Sequence, residues 1–222
     1  MFKAFIPKRI KNHTVLSFLE MLRSFQKLFH STLKLCVKHF VENEEIVKKY
    51  QQSTEDDSLY IEDQKALSEM KYGKSTMSYA GCEVIATYNV LKYLGHKPYL
   101  PAIILEYERD GMIFSGRFGT SPLAISDYFE NHGFKVDYTP YVDDFDYMAE
   151  VEDALILTYY NNKNDIFAQI HTIAITRDED GYVAHNVHGD GSILRKTMSI
   201  SEIMGQINNG NCKGISLLGI SI

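Results

Sequence analysis

Cys82 is the residue of this chain whose type and position most favour chemistry. It begins the apolar run Cys82-Glu83-Val84-Ile85-Ala86-Thr87-Tyr88-Asn89-Val90-Leu91, after a polar loop that contains glycine. Apolar residues on nearly every side predict a buried helix. A thiol in the first turn of a helix experiences the positive end of the helix dipole, which favours the nucleophilic thiolate. The alternative is a buried cysteine that serves only as a small apolar side chain.

His171 is the predicted partner of this thiol. Residues 166–176 alternate as a strand, residues 177–181 are a charged turn that ends in glycine, and residues 182–187 are predicted as the returning strand of a hairpin. Asn186 on the second strand would accept a hydrogen bond from one imidazole nitrogen, and the other nitrogen would then face the thiol. The alternative is a hydrogen-bonded core histidine and an ordinary hairpin asparagine.

The order and spacing of these motifs resemble those of papain-like cysteine peptidases, in particular the bacteriocin-leader-processing peptidases and their stand-alone bacterial relatives. In that pattern a cysteine opens an apolar helix, and a histidine, a glycine turn and a strand with Asn or Asp follow much later. Residues 119–136 also resemble the helix and strand that the family places between its catalytic residues. The resemblance covers residues 70–222 and implies cleavage of a peptide or amide substrate, with no cofactor and no metal.

Carried over position by position, the resemblance makes Cys82 the nucleophile, His171 the general base and acid, and Asn186 the orienting residue. Two positions depart from the family pattern. The residue after the cysteine is usually glycine, and here it is Glu83. Thr76 stands where the family usually has a glutamine whose amide helps to form the oxyanion hole. One oxyanion donor is worth about 3 to 4 kcal/mol, and we therefore consider the hydroxyls of Thr76 and Ser78 as replacements.

Glu83 has two interpretations. A carboxylate in the first helical turn is favoured by the dipole, so we expect Glu83 to cap the helix. The alternative is that it raises the pKa of the neighbouring thiol or contacts an amine of the substrate.

Cysteine usage and hydropathy favour a cytoplasmic protein. The three cysteines, Cys36, Cys82 and Cys212, do not form a disulfide framework, which fits a reducing compartment. No cleavable signal is evident near Met1, and no run approaches the roughly twenty apolar residues that span a bilayer.

Charge is unevenly distributed along the chain. Residues 1–50 carry ten Lys/Arg and four Asp/Glu, whereas the remainder carries thirteen and twenty-five. The acidic part is a poor candidate for binding nucleic acid, which requires clustered cations. It weakly favours a cationic substrate through long-range attraction.

The basic part is predicted as one long amphipathic helix over 14–42, because it has neither Gly nor Pro and its apolar residues recur at steps of three and four. The predicted apolar face comprises Val15, Phe18, Leu19, Leu22, Phe25, Phe29, Leu33, Cys36, Val37 and Phe40. The neighbouring basic face comprises Arg23, Lys27, His30, Lys34 and Lys38. Such a helix packs on its own domain or on a second copy, contacts a membrane surface, or covers the active-site cleft as a lid or pro-segment. The oligomeric state stays open.

Together these patterns predict an α+β protein with a papain-like fold, in which the nucleophile helix packs on an antiparallel sheet. Residues 1–60 would form a helical N-terminal extension and residues 61–222 the catalytic domain. Residues 153–160 are expected to form the central strand. Three functions remain open: a cysteine peptidase or amidase, an acyltransferase that uses the same thiol, and a non-catalytic binding module that docks through the basic helix.

Overall fold

The computed structural model describes residues 8–28, 33–51, 60–117, 119–163 and 169–222. Within them the helices are α1 Lys8–Leu28, α2 Leu33–Gln51, α3 Met77–Ala80, α4 Cys82–Tyr93, α5 Leu100–Asp110, α6 Pro122–Asn131, α7 Phe145–Val151 and α8 Ile200–Gln206. The strands are β1 Lys71–Tyr72, β2 Ser75–Thr76, β3 Lys135–Thr139, β4 Ala154–Tyr160, β5 Ile170–Asp178, β6 Gly181–His185 and β7 Lys213–Ser221. Short 3-10 helices cover Gln64–Leu67, Val142–Asp144 and Ile207–Gly210.

The main sheet has the strand order β3-β7-β4-β5-β6, and each neighbouring pair is antiparallel. Strand β4 is central and every residue in it is buried, which confirms the strand predicted over 153–160. Its Ala154 and Ile156 join the apolar cluster that contains α4 and α5, and Leu155 and Leu157 join the cluster that contains α7 and α8. Because successive side chains of a strand face opposite sides, both faces of the sheet are covered. The predicted α+β class is confirmed.

Helix α4 is buried on nearly all sides, as its apolar run predicted. Val84, Ile85 and Val90 have no exposed surface, and the helix packs against β5 and α5. Burying a large aliphatic side chain is worth about 1.5–3 kcal/mol, so these contacts fix the position of the first turn, where Cys82 lies.

The predicted hairpin is formed by β5 and β6, which pair from Ala174 with His185 to Asp178 with Gly181. Gly181 has φ of 125°, and a Cβ there would come within 2.3 Å of the Thr197 carbonyl, so the turn requires glycine. The predicted start of the first strand at residue 166 lies outside the described residues. Asn186 follows β6 with φ of 61°, a left-handed conformation in which asparagine is enriched.

The stretch that was predicted as one helix contains two, α1 and α2. Residues 29–32, between them, lie outside the described residues. The prediction of Cys36 as a core residue is confirmed, since it is 2% exposed. Two assignments to the apolar face are wrong, because Phe18 and Val37 are 54% and 50% exposed. Among the described residues, no helix combines the length and the hydropathy that a membrane span requires.

Arg23 was placed on the basic face by its spacing, yet it is buried. Its Nε donates to the Asp110 carbonyl at 2.7 Å, and its Nη2 donates to Asp127 at 2.5 Å. A charge is buried in a protein only when it is paired, and here Asp127 on α6 supplies the opposite charge. Helix α1 is therefore anchored on the body of the protein through a residue of its predicted polar face.

Candidate active site

A cavity of about 960 Å³ lies beside the start of α4. Cys82 and Glu83 line it from α4, Ser78 from α3 and His171 from β5. Leu19 of α1 also lines the wall, so the N-terminal helix contributes to the cavity. Of the predicted site residues, the structure brings Cys82, His171 and Ser78 to one cavity.

Cys82 is the first residue of α4 and is 7% exposed. Its Sγ lies 3.2 Å from Oε2 of Glu83 and donates a hydrogen bond to it. Burial and then the negative charge of Glu83 raise the pKa of the thiol well above its usual value, while the backbone of Thr172 acts in the opposite direction. Desolvation and the neighbouring carboxylate thus both oppose the thiolate that the helix dipole was expected to favour.

Glu83 lies in the first turn of α4, as predicted. Its carboxylate accepts hydrogen bonds from the Cys82 thiol and from the Thr172 hydroxyl, 3.5 Å away. It is 4% exposed, and burial raises its pKa to about 7. The alternative interpretation, in which Glu83 raises the pKa of the thiol, describes what the structure shows.

His171 is fixed through one ring nitrogen. Its Nε2 lies 2.7 Å from the backbone carbonyl of Asn186, and since a carbonyl can only accept, Nε2 carries the proton. Within the described parts of the chain, Nδ1 makes no hydrogen bond and is free to accept a proton. Burial lowers the pKa of His171, although the hydrogen bond to Asn186 partly opposes this effect. A neutral imidazole with a free Nδ1 has the form that a general base requires.

Asn186 contacts the imidazole through its backbone carbonyl and not through its side chain. Its Nδ2 donates to Oε1 of Gln64 at 3.0 Å, and its Oδ1 is buried without a partner in the part of the chain that the structure describes. The left-handed turn at residue 186 places the carbonyl within reach of His171. His171 therefore has a hydrogen-bond acceptor at the predicted residue, and the backbone supplies it.

The two candidate oxyanion donors differ in position. The hydroxyls of Thr76 and Ser78 lie 2.9 Å apart and hydrogen-bond to each other. Ser78 lines the cavity, whereas Thr76 is not one of the lining residues.

Gln64 is a site residue that the sequence did not reveal. It is 6% exposed, lines the cavity, and donates from Nε2 to the Ser78 carbonyl at 3.2 Å. Its Oε1 accepts from Asn186, so one amide joins the loop beside Cys82 to the turn beside His171. The sequence around Gln64 is a charged segment, and no local pattern marks an amide whose partners are distant.

Residues 60–64, which we call the clamp segment, connect the nucleophile helix to the histidine hairpin. The backbone of Ile61 forms two hydrogen bonds with the Asn89 side chain on α4, at 2.9 and 3.0 Å. The Glu62 carboxylate accepts a hydrogen bond from the backbone N–H of Asn186 at 2.6 Å, and its other oxygen lies 2.6 Å from Nδ1 of His185. The clamp segment thereby fixes the elements that carry Cys82 and His171 relative to each other.

His185, next to Asn186, is a core residue. It is 3% exposed and bonds to the Thr176 hydroxyl at 2.8 Å as well as to Glu62. His188, two residues after Asn186, is exposed and lines the cavity.

Among solved structures, the chain is similar to the peptidase domain of Streptococcus ComA, a bi-functional ABC transporter involved in a quorum-sensing pathway. The identity is 12%, the TM-score is 0.43, and the match covers 63% of this chain and 90% of that domain. No protein-family model and no curated protein matches the chain.

Proposed function

We propose that the chain is a papain-like cysteine hydrolase that cleaves a peptide or amide bond. The observation that carries the proposal is that Cys82 and His171 line one cavity, with the imidazole fixed at Nε2 and, among the described residues, without a hydrogen-bond partner at Nδ1. We assign the chemistry to residues 61–222 and regard residues 1–60 as a helical extension that supplies Leu19 to the cavity wall.

The reaction begins with transfer of the thiol proton to Nδ1 of His171. The Cys82 sulfur attacks the carbonyl carbon, and the carbonyl electrons move onto oxygen to form a tetrahedral intermediate. As the intermediate collapses, the C–N bond breaks and His171 gives its proton to the leaving amine. Water then attacks the thioester with His171 again as base, and releases the acid and the thiol.

The high pKa of the resting thiol makes base catalysis necessary in this scheme. A thiol that is mostly protonated at neutral pH reacts only when a base removes its proton during attack. Burial lowers the pKa of His171, and its Nδ1 has no hydrogen-bond partner within the described residues, so it is the base that we assign. Asn186 holds the ring through its carbonyl, and Gln64 holds the Asn186 side chain.

For the oxyanion we propose the Ser78 hydroxyl and the backbone amide of Cys82. Ser78 lines the cavity, and its backbone carbonyl accepts a hydrogen bond from Gln64. Thr76 then has a positioning role, since its hydroxyl bonds to that of Ser78.

Labelling with an electrophilic peptide probe tests the proposal. We expect the wild-type protein to be labelled at Cys82 faster than a free model thiol at the same pH, and Cys82→Ala to lose this labelling completely. Cys36→Ala and Cys212→Ala are matched controls, because both thiols are buried and neither lines the cavity. Labelling of Cys82 no faster than the model thiol would contradict catalysis and would favour a binding module.

Product analysis separates hydrolysis from acyl transfer. With a peptide that the protein consumes, hydrolysis gives a new free carboxylate in water alone. A requirement for an added acceptor amine would instead identify an acyltransferase that uses the same thiol.

A further inference from the structure

The wall of the cavity carries more basic than acidic side chains. Its cations are Lys65, Lys74 and Arg117, and its carboxylate is Glu83. Glu83 is buried and has its pKa raised to about 7 by that burial, so its negative charge is incomplete at neutral pH. This local excess is opposite in sign to the whole chain, whose net charge is −6.

Lys74 and Arg117 belong to two loops that are joined backbone to backbone. The amide of Lys74 donates to the Ser115 carbonyl at 2.8 Å. A Cβ at Gly73 would come within 2.3 Å of that carbonyl, and one at Gly116 within 2.8 Å of the Tyr72 carbonyl. Both glycines have positive φ, so the close approach depends on residues without side chains. Two cations are thereby held on the same part of the wall.

These two cations are available to a ligand. Both side chains are exposed, and no ion pair within the described residues includes either one. Lys65 differs, because its Nζ lies 3.6 Å from Asp190 and its amide is bonded to the Gly189 carbonyl. Lys74 and Arg117 therefore provide the unneutralised charge.

We propose that the cleft selects a peptide that carries a carboxylate side chain near the bond to be cleaved, and that Lys74 and Arg117 bind this carboxylate. The substrate class rests on the proposed function, whereas the charge preference of the cavity does not. A guanidinium forms paired, charge-assisted hydrogen bonds with a carboxylate, and a neighbouring ammonium adds attraction. The weak expectation of a cationic substrate came from total charge, which acts at long range and is screened by salt.

The labelling test uses three electrophilic peptide probes that differ only in one residue, Glu, Gln or Lys, on the acyl side. We expect the rate of Cys82 labelling to fall from Glu to Gln to Lys, with about tenfold between Glu and Gln. The double variant Lys74→Gln/Arg117→Gln should lose the preference for Glu. Lys97→Gln/Lys135→Gln is the matched control, because it removes the same charge from exposed residues that do not line the cavity.

A binding test makes the outcome independent of catalysis. Fluorescent, non-reactive versions of the same peptides are titrated into Cys82→Ala, and anisotropy reports their affinities. A preference for Glu that disappears in the Lys74/Arg117 double variant supports the proposal even if no probe is labelled, in which case only the hydrolase assignment fails. Equal affinities for the Glu and Lys peptides, or a preference that survives in the double variant, would overturn it even if Cys82 is labelled rapidly.

Discussion

The molecule contains two sets of one cysteine, one histidine and one glutamate, and they differ in how the histidine is used. One set lies in the cavity and the other between α2 and α5. The cavity set comprises Cys82, His171 and Glu83, and the interhelical set comprises Cys36, His39 and Glu108. In both sets the thiol is buried and lies near the carboxylate.

The environments of the two thiols are similar. Burial and then Glu108 raise the pKa of Cys36 to about 11, and burial and then Glu83 raise the pKa of Cys82 well above its usual value. The direction of the thiol pKa shift therefore does not distinguish Cys82 from Cys36.

The histidines provide the difference. His39 is bonded through Nδ1 to Oε1 of Glu108 at 2.6 Å, and the same oxygen accepts from the Gly73 amide at 2.6 Å. That histidine is part of a buried network that joins α2, α5 and the loop after β1. His171 is held by the neutral carbonyl of Asn186 and lines the cavity. Access to the cavity and a neutral hydrogen-bond partner therefore distinguish the set that we propose for catalysis from the buried set.

The largest expected effect comes from exchanging the histidines for alanine. We expect His171→Ala to reduce the rate of Cys82 labelling by a peptide probe by about a hundredfold or more, the scale of general-base catalysis. His39→Ala should leave the labelling rate unchanged and should lower the free energy of unfolding by about 3 kcal/mol, because Glu108 loses a partner while buried. Equal labelling rates for His171→Ala and wild type would show that His171 does not activate Cys82, and the two sets would then not differ in function.

The next effect concerns stability and pH in Glu83→Gln. Burial raises the pKa of Glu83 from 4.5 to about 7, so between these values the folded protein keeps a proton that the unfolded chain has lost. The stability of the wild type therefore falls as pH rises through this window. Chemical denaturation at several pH values measures the free energy of unfolding. Relative to wild type, this free energy should rise in Glu83→Gln by about 3 kcal/mol as the pH is raised from 4.5 to above 7. A pH-independent difference would show that Glu83 ionises normally.

A smaller effect is expected on the reactivity of the thiol in the same variant. Above pH 7 the ionised Glu83 raises the pKa of Cys82, so Glu83→Gln should increase the rate of labelling by iodoacetamide about tenfold at pH 8, equivalent to one pKa unit. The two rates should converge at pH 6, where Glu83 is mostly protonated. Glu108→Gln is the matched control and should not change the labelling of Cys82. Slower labelling of Glu83→Gln would identify Glu83 as the base in place of His171.

The elements that carry the site could be predicted because their patterns are local. Helix α4 follows from its apolar run, strand β4 from its length and composition, and the β5–β6 hairpin from alternation around a glycine turn. Each pattern lies within a few residues of the structure that it produces, so no knowledge of distant partners was needed.

The roles of particular side chains could not be predicted, because they depend on distant partners. Arg23 forms an ion pair with Asp127, and Gln64 forms a hydrogen bond with Asn186. In each pair the two residues are more than a hundred positions apart in the sequence. Glu83 was expected to cap a helix because its position allows that. Its contact with the Thr172 hydroxyl on β5, 89 residues later in the chain, could not be predicted from that position.

The hydrogen bond between Cys82 and Glu83 also has a consequence for oxidation. Peroxide attacks the thiolate and not the thiol, and the first product is a sulfenic acid. A sulfur that burial and a neighbouring carboxylate keep protonated is therefore protected from oxidation. If Cys82 is the nucleophile that we propose, the same contact that slows its attack also preserves it in the reduced form.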